Sequence, residues 1–338
     1  MKPITPIMLH IKFTGLLLLL MAFFIASPCH AEDGSKKKPE TPTVPKITAE
    51  HYRIFDGNGK PVTIHQLLQK MNEVEVIFLG ELHDDPVAHH VQKMLFEQHH
   101  QQGKRKIALS LEMFERDVQH IVDEYLADLI TEKHFLDSSR PWSNYKRDYR
   151  PLVEFAKKNR LPVIAANAPR RYVSLVGRLG AKSLTKIVDP EARGLPPLPY
   201  GNASQKYAQR FKEVMKNHSK PKKTTKPKSE KKKAPKFDIN KALQAQSLWD
   251  ATMAYSITQH LIRFPNTKIV HLNGRFHTES RLGICEHLQR YRPGTTFLVL
   301  SMYSDKSFPK FHCETMLHQG DFVIVTDPNI RKSVKKAR

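Results

Sequence analysis

The stretch from residue 73 to 92, EVEVIFLGELHDDPVAHHVQ, decides how the rest of this 338-residue chain is arranged. Val74, Val76, Ile77, Phe78 and Leu79 form a β-branched and aromatic run that predicts a buried strand, and Gly80 ends it with a turn. Glu81, His83, Asp84 and Asp85 follow at once. Asp85 is placed to cap a helix beginning at Pro86, since proline has no amide hydrogen to leave unpaired there. A carboxylate and an imidazole therefore stand between the carboxyl end of a strand and the amino end of a helix, where open α/β sheets bind ligands.

Working outward, the same pattern recurs. KIALSL (106–111) predicts a second buried strand ending at Glu112, LPVIAA (161–166) a third closed by Asn167, and 267–272 a fourth leading into Asn273, Gly274 and His277. Residues 296–301 and 321–326 complete the strands, and 52–59 suggests a short opening strand and turn. Helices are expected near 63–71, over 86–102, from 115 to 136 as one amphipathic helix, within 142–159, over 244–264 and through 285–290. Strands alternating with helices predict an α/β fold, a mostly parallel sheet flanked by helices. The α/β domain is drawn from residues 51–167 and 265–328, with a smaller all-helical subdomain at 168–264 carried on one edge.

The formal charge of +22 suggests a nucleic-acid binder until its distribution is considered. Residues 216–236 hold ten lysines against Glu230, and the basic tail, 329–338, carries five more cations; taking away their +9 and +5 leaves +8. The excess lies in low-complexity segments, which argues against nucleic acid. Lys2 and Lys12 precede the apolar run FTGLLLLLMAFFIAS, and small residues precede Glu32, so 1–31 reads as a secretory signal peptide and 32–50 as a Lys- and Pro-rich spacer. Lipidation at Cys29 and an uncleaved anchor are the alternatives. In an exported body, Cys285 and Cys313 are candidates to pair.

Four apolar strands each end in polar residues: Glu81 with His83, Glu112, Asn167, and Asn273 with His277. If the strands are parallel neighbours, these side chains share one rim. Two exits repeat a Gly-x-x-His spacing, Gly80 to His83 and Gly274 to His277. Two imidazoles and two glutamates on one rim suit acid–base chemistry, or a divalent metal held by His83, His277 and Glu81. His89, His90, His99 and His100, on the following helix, are expected to face solvent.

LGELHDDPVAHHVQ, LSLEMFERDVQ, YRPLVEFAKKNRLPVIAANAPRRYV, QSLWDATMA and LNGRFHTESRLGI, in that order, closely resemble the ChaN-like haem-binding uptake family of the Tiki superfamily. The resemblance runs from Tyr52 to Ser301, interrupted by the lysine-rich insertion. It implies an exported, often lipid-anchored, periplasmic or outer-membrane-associated haem-binding protein working beside an outer-membrane haem receptor in iron uptake. It further implies a homodimer in which a tyrosine of one chain coordinates each iron. Two haems then stack between the chains, held by a histidine and a lysine of the partner. Carried onto this chain, the iron ligand is Tyr172, with Tyr149 as the competing candidate, and Arg170 and Arg171 are placed to favour the ionised phenol and attract propionates. The wider superfamily implies an alternative, metal-assisted hydrolysis with Glu81, His83, Glu112 and His277 as the catalytic set.

Overall fold

The computed structural model describes residues 46–103, 105–218 and 237–330; the leader expected at 1–31, most of the spacer expected at 32–50, most of the lysine-rich insertion and the tail from 331 lie outside them. Seven strands form one sheet: β1 (Tyr52–Asp56), β2 (Val76–Glu81), β3 (Ile107–Glu115), β4 (Val163–Asn167), β5 (Lys268–Gly274), β6 (Phe297–Ser304) and β7 (Phe322–Thr326). Their order is β1-β7-β6-β2-β5-β3-β4. All neighbours are parallel except β1, which runs antiparallel to β7 at the edge.

The strands read as continuous apolar runs because both faces of the sheet are covered. Ile77 and Leu79 of β2 pack on one face with Leu109, Leu111, Val270 and Leu272. Val76 and Phe78 point to the other, against Ala108, Ile164, Ile269 and Val299. The first face is covered by helices that follow β1, β2 and β3: α1 (Ile64–Asn72), α2 (Pro86–Gln102), α3 (Gln119–Leu126), α4 (Glu132–Ser139), α5 (Tyr145–Asp148) and α6 (Arg150–Lys158). Beyond β4 come α7 (Arg170–Leu179), α8 (Gln205–His218), α9 (Ile239–Arg263), α10 (Ile284–Tyr291) and the single turn α11 (Cys313–Met316).

Three expectations need correction. The single helix at 115–136 is three pieces: β3 runs on to Glu115, a 3-10 turn spans Arg116–Val118, and α3 and α4 are separated by a turn. Asp128 in that turn has φ 59°, a left-handed residue that apolar spacing cannot reveal, and Leu129, expected on the buried stripe, is 75% exposed. The segment 168–264 is not simply carried on an edge. The amino half of α9 joins α7 in a cluster of its own (Val173, Val176, Leu248, Ala251). The carboxyl half (Met253, Ala254, Ile257, Leu261) covers the sheet beside α10, a reach that 25 residues at about 1.5 Å each allow. Cys285 and Cys313 are both free thiols, the first buried in α10 and the second exposed.

The helix start read from Asp85 and Pro86 is present in full. Asp85 Oδ1 accepts from the amides of Val87 at 2.9 Å and Ala88 at 3.2 Å, while Oδ2 accepts from the Thr326 hydroxyl at 2.6 Å, tying α2 to β7. Removing this buried cap and its cross-link, as in Asp85→Ala, is expected to cost about 2 kcal/mol in chemical denaturation; an unchanged midpoint would remove it as a structural tie.

Candidate functional site

The carboxyl ends of β2, β5, β3 and β4 lie next to one another in that order, so the parallel sheet brings Glu81, His83, His277, Glu112 and Asn167 to one rim. The two Gly-x-x-His exits make room for each other. β2 pairs Gly80 with Asn273 and Glu81 with Gly274. A Cβ on Gly80 would come within 2.9 Å of the Arg275 Cα, and one on Gly274 within 2.8 Å of His83 Nε2. Each glycine is therefore needed where the other turn crosses it.

Glu81 is buried, and its two oxygens meet four donors. Oε1 accepts from the Tyr149 hydroxyl at 2.5 Å and lies 2.8 Å from His83 Nδ1. Oε2 accepts from Gln92 Nε2 at 2.6 Å and lies 3.3 Å from His89 Nδ1. Burial alone would raise its pKa, but the charge of His89 and the imidazole hydrogen bonds outweigh burial and hold it well below the usual carboxylate range. His89 answers in kind: burial pushes it down, the Glu81 charge more than compensates, and its pKa rises to about 9. Its Nε2 faces the His83 carbonyl at 3.3 Å and Asp148 at 3.7 Å.

A second carboxylate–imidazole pair stands across the rim. His277 Nδ1 lies 2.5 Å from Asp250 Oδ1 of α9, and its Nε2 lies 3.6 Å from Glu112 Oε1. Against burial, the charges of Glu112 and Asp250 raise His277 to about 9. Glu112 Oε2 accepts from the Gly274 amide at 2.6 Å. Each histidine thus has Nδ1 on a buried carboxylate. The Nε2 of His83 lies against the Gly274 backbone and that of His277 against Glu112. His83 is the accessible one, its side chain 43% exposed with the Trp142 ring edge-on at 4.8 Å. The pattern suits proton transfer, with Glu81 and Asp250 as orienting groups.

The expected divalent-metal set is not assembled. Glu81 has no oxygen left for an ion, and among the described residues no group of three or more His, Cys, Asp or Glu is arranged to hold one. Asn167 is spent locally, its side-chain oxygen accepting from the Ala168 amide. His89 and His99 are buried, contrary to the solvent-facing expectation, whereas His90 is exposed and His100 half-buried. The signal for His89 was available: with Gln92, Phe96 and His99 it forms a stripe at helical spacing. Asp250 also had one, as the lone charged residue between Lys241 and Arg263 of a long helix. Tyr207, whose buried hydroxyl accepts from Gln246, had no local signal.

The two candidate iron ligands separate cleanly. Tyr149 is completely buried, its hydroxyl committed to Glu81, and burial together with that carboxylate pushes its pKa up, opposing the tyrosinate that ligation needs. Tyr172, in the first turn of α7, is half-buried, with the Arg171 guanidinium 4.6 Å from its ring centre. Arg171 also pairs with Asp117, while Arg170 is exposed beside it.

The family profile described as haem-binding uptake, Tiki superfamily, ChaN matches residues 67–288, about two thirds of the chain. The chain belongs to this family. No curated protein gives a significant match. Among solved structures, ChaN of Campylobacter jejuni with cofacially bound haem is 18% identical, covering 84% of this chain and all of that one at a TM-score of 0.61, so the fold is shared. The type III effector HopBA1 is 11% identical over 81% of this chain and 99% of its own at 0.44. The erythromycin esterase EreC in its open conformation is 11% identical over 82% and 83% at 0.40.

Two outcomes test this geometry. A cation whose pKa is raised from 6.5 to about 9 stabilises fully below pH 6.5, and that contribution is lost as pH rises through 9. Urea midpoints should therefore fall over this interval, and less steeply in His89→Gln, His277 supplying the remaining slope; identical slopes would show His89 to be neutral. Gly274→Ala should displace the His83 ring, visible as a shifted imidazole resonance with the fold retained; an unmoved resonance would contradict the close approach.

Proposed function

We propose that this chain binds haem through Tyr172 after export, as part of a haem or iron uptake system. The observation that carries this reading is the state of the Tyr172 hydroxyl. It is half-exposed, bonded to no carboxylate, backbone or sulfur acceptor, and flanked by Arg171, whereas the unpartnered hydroxyl of Tyr291 is buried. Tyr125, Tyr149, Tyr255 and Tyr303 each donate to a glutamate, and Tyr200 to a backbone carbonyl. Haem supplies a ferric iron that takes a hard anionic oxygen donor. Tyr172 would provide it, helped by Arg171 and the positive end of α7, with Arg170 free for a propionate. Family membership supports haem as the ligand. A homodimer formed around haem and delivery beside an outer-membrane receptor belong to the same proposal and rest on the family likeness and the leader-like first 31 residues, with lipidation at Cys29 in place of cleavage after Ala31 as the alternative.

A hemin titration tests it. The wild-type body should give a saturable Soret shift, retained in Tyr149→Phe and lost or moved in Tyr172→Phe. An unchanged shift in Tyr172→Phe would rule out this ligand.

The twin carboxylate–imidazole pairs favour a second reading, ester or amide hydrolysis at the rim without a metal-held Glu81. In that chemistry His83 Nε2 takes the proton of an attacking water while Glu81 orients its Nδ1–H, and His277, already a cation, gives a proton to the leaving group. Turnover of a p-nitrophenyl ester should then fall about a hundredfold or more in both His83→Ala and His277→Ala. Wild-type rates in both variants would end the hydrolase reading and leave haem binding untouched.

A further inference from the structure

The helix α8 is docked on the 3-10 turn Arg275–His277, the turn that carries the buried imidazole. Tyr207 and Phe211, both buried, set their rings against Phe276 at 5.3 Å and 6.2 Å, and the Arg210 guanidinium stands 4.9 Å from the centre of the same ring. Arg210 also donates to the Glu279 carbonyl at 3.0 Å and pairs with the Glu279 carboxylate. The helix therefore grips the chain on both sides of His277. Ring packing accounts for the apolar part of Tyr207. It does not account for a phenol hydroxyl carried out of reach of water.

That hydroxyl has one hydrogen to give. Gln246 Nε2 donates to it at 3.2 Å, so its acceptor role is filled and its own proton is free. The group it faces is the Asp250 carboxylate: burial raises the Asp250 pKa, and the His277 charge and the Tyr207 hydroxyl oppose that rise. Asp250 is completely buried, with Oδ1 on His277 Nδ1 at 2.5 Å, while Oδ2 accepts no hydrogen bond from any other described residue. The Gly283 backbone packs beside Oδ2, where a Cβ would lie 3.2 Å away, but its amide is spent on Glu286. A dry carboxylate with an unused oxygen is driven to take up a proton, and the one within reach is on His277 Nδ1. Transfer would turn the ion pair into a neutral acid beside a neutral imidazole.

We propose that Tyr207 is a positioning residue for His277: its hydroxyl donates to Asp250, keeps that carboxylate ionised and so keeps the Nδ1 proton on the imidazole. Its use in chemistry rests on the hydrolysis reading of the rim, in which a cationic His277 protonates the leaving group. Glu112 of β3, His83 at the β2 exit and His271 of β5 also carry charge or titrate within reach of His277, and a change at Tyr207 leaves all three in place. The protonation of His277 is therefore a direct report on the phenol.

The test uses the full chain, with the imidazole nitrogen resonances of His277 followed at neutral pH and assigned by their loss in His277→Ala. Tyr207→Phe keeps the ring against Phe276 and removes the hydroxyl alone. Both nitrogens should move from the imidazolium toward the neutral imidazole position. Turnover number for a p-nitrophenyl ester should fall about tenfold with KM unchanged, the loss of one hydrogen bond to a charged group. Because Tyr207 acts through Asp250, its replacement should add nothing in an Asp250→Asn background, where the carboxylate is already gone. Resonances that Tyr207→Phe does not move, or effects of the two substitutions that simply add, would overturn the proposal, leaving a tyrosine that only packs α8 in place. The resonances are read whether or not ester is turned over. A shift in a protein without turnover supports the assignment and removes the hydrolysis reading, whereas turnover lost in His277→Ala beside unmoved resonances in Tyr207→Phe removes the assignment and keeps hydrolysis.

Discussion

The arrangement of this protein turns on one buried carboxylate. Glu81 ends the central strand β2 without exposure to water, a position that is costly for a charge unless every lone pair finds a donor. The donors come from three separate elements: Gln92 and His89 from α2, Tyr149 from the junction of α5 and α6, and His83 from the exit turn of β2 itself. Satisfying Glu81 therefore sets how α2 and α6 sit on the sheet, and at the same time sets which nitrogen of His83 is engaged and which is turned toward Gly274. Stability and site geometry are one problem here. Losing a single donor would leave part of a charge unpaired in a dry interior.

Opposite it, Asp250 performs the same service for His277 from a helix more than 160 residues further along the chain. The two Gly-x-x-His turns cross so closely that each glycine yields space to the other exit. The outcome is an accessible imidazole, a buried cationic one and Glu112 between them, on the rim of a parallel sheet where ligands of such folds gather. In a member of a haem-binding family this rim is a second asset, distinct from the phenol at the start of α7. Gln246 and the Trp249 ring, both on α9, stand against His277.

Much of this was legible in the residues. The strand and cap around Gly80 to Pro86 follow local rules that act over four to six residues, so they could be read in isolation. The rim followed because parallel strands with polar exits leave little freedom in where those exits go. Tyr149 was misjudged because nothing local distinguishes a phenol that faces solvent from one aimed at a carboxylate 68 positions earlier. Asp128 was missed for the opposite reason: a single left-handed residue ends a helix while leaving its apolar spacing intact.

By itself the sequence determined the α/β class, the continuous buried strands, the cap of α2 and the family to which the chain belongs, since these depend on residue type and spacing. Only the tertiary structure decided which groups are spent and which are free. Glu81 and Tyr149 are consumed by one another, Asp250 is recruited to His277, and Tyr172 stays half-exposed. The physical reason is that a hydrogen bond in a dry interior is settled by distances between segments far apart in the chain, and no pattern within one segment carries that information.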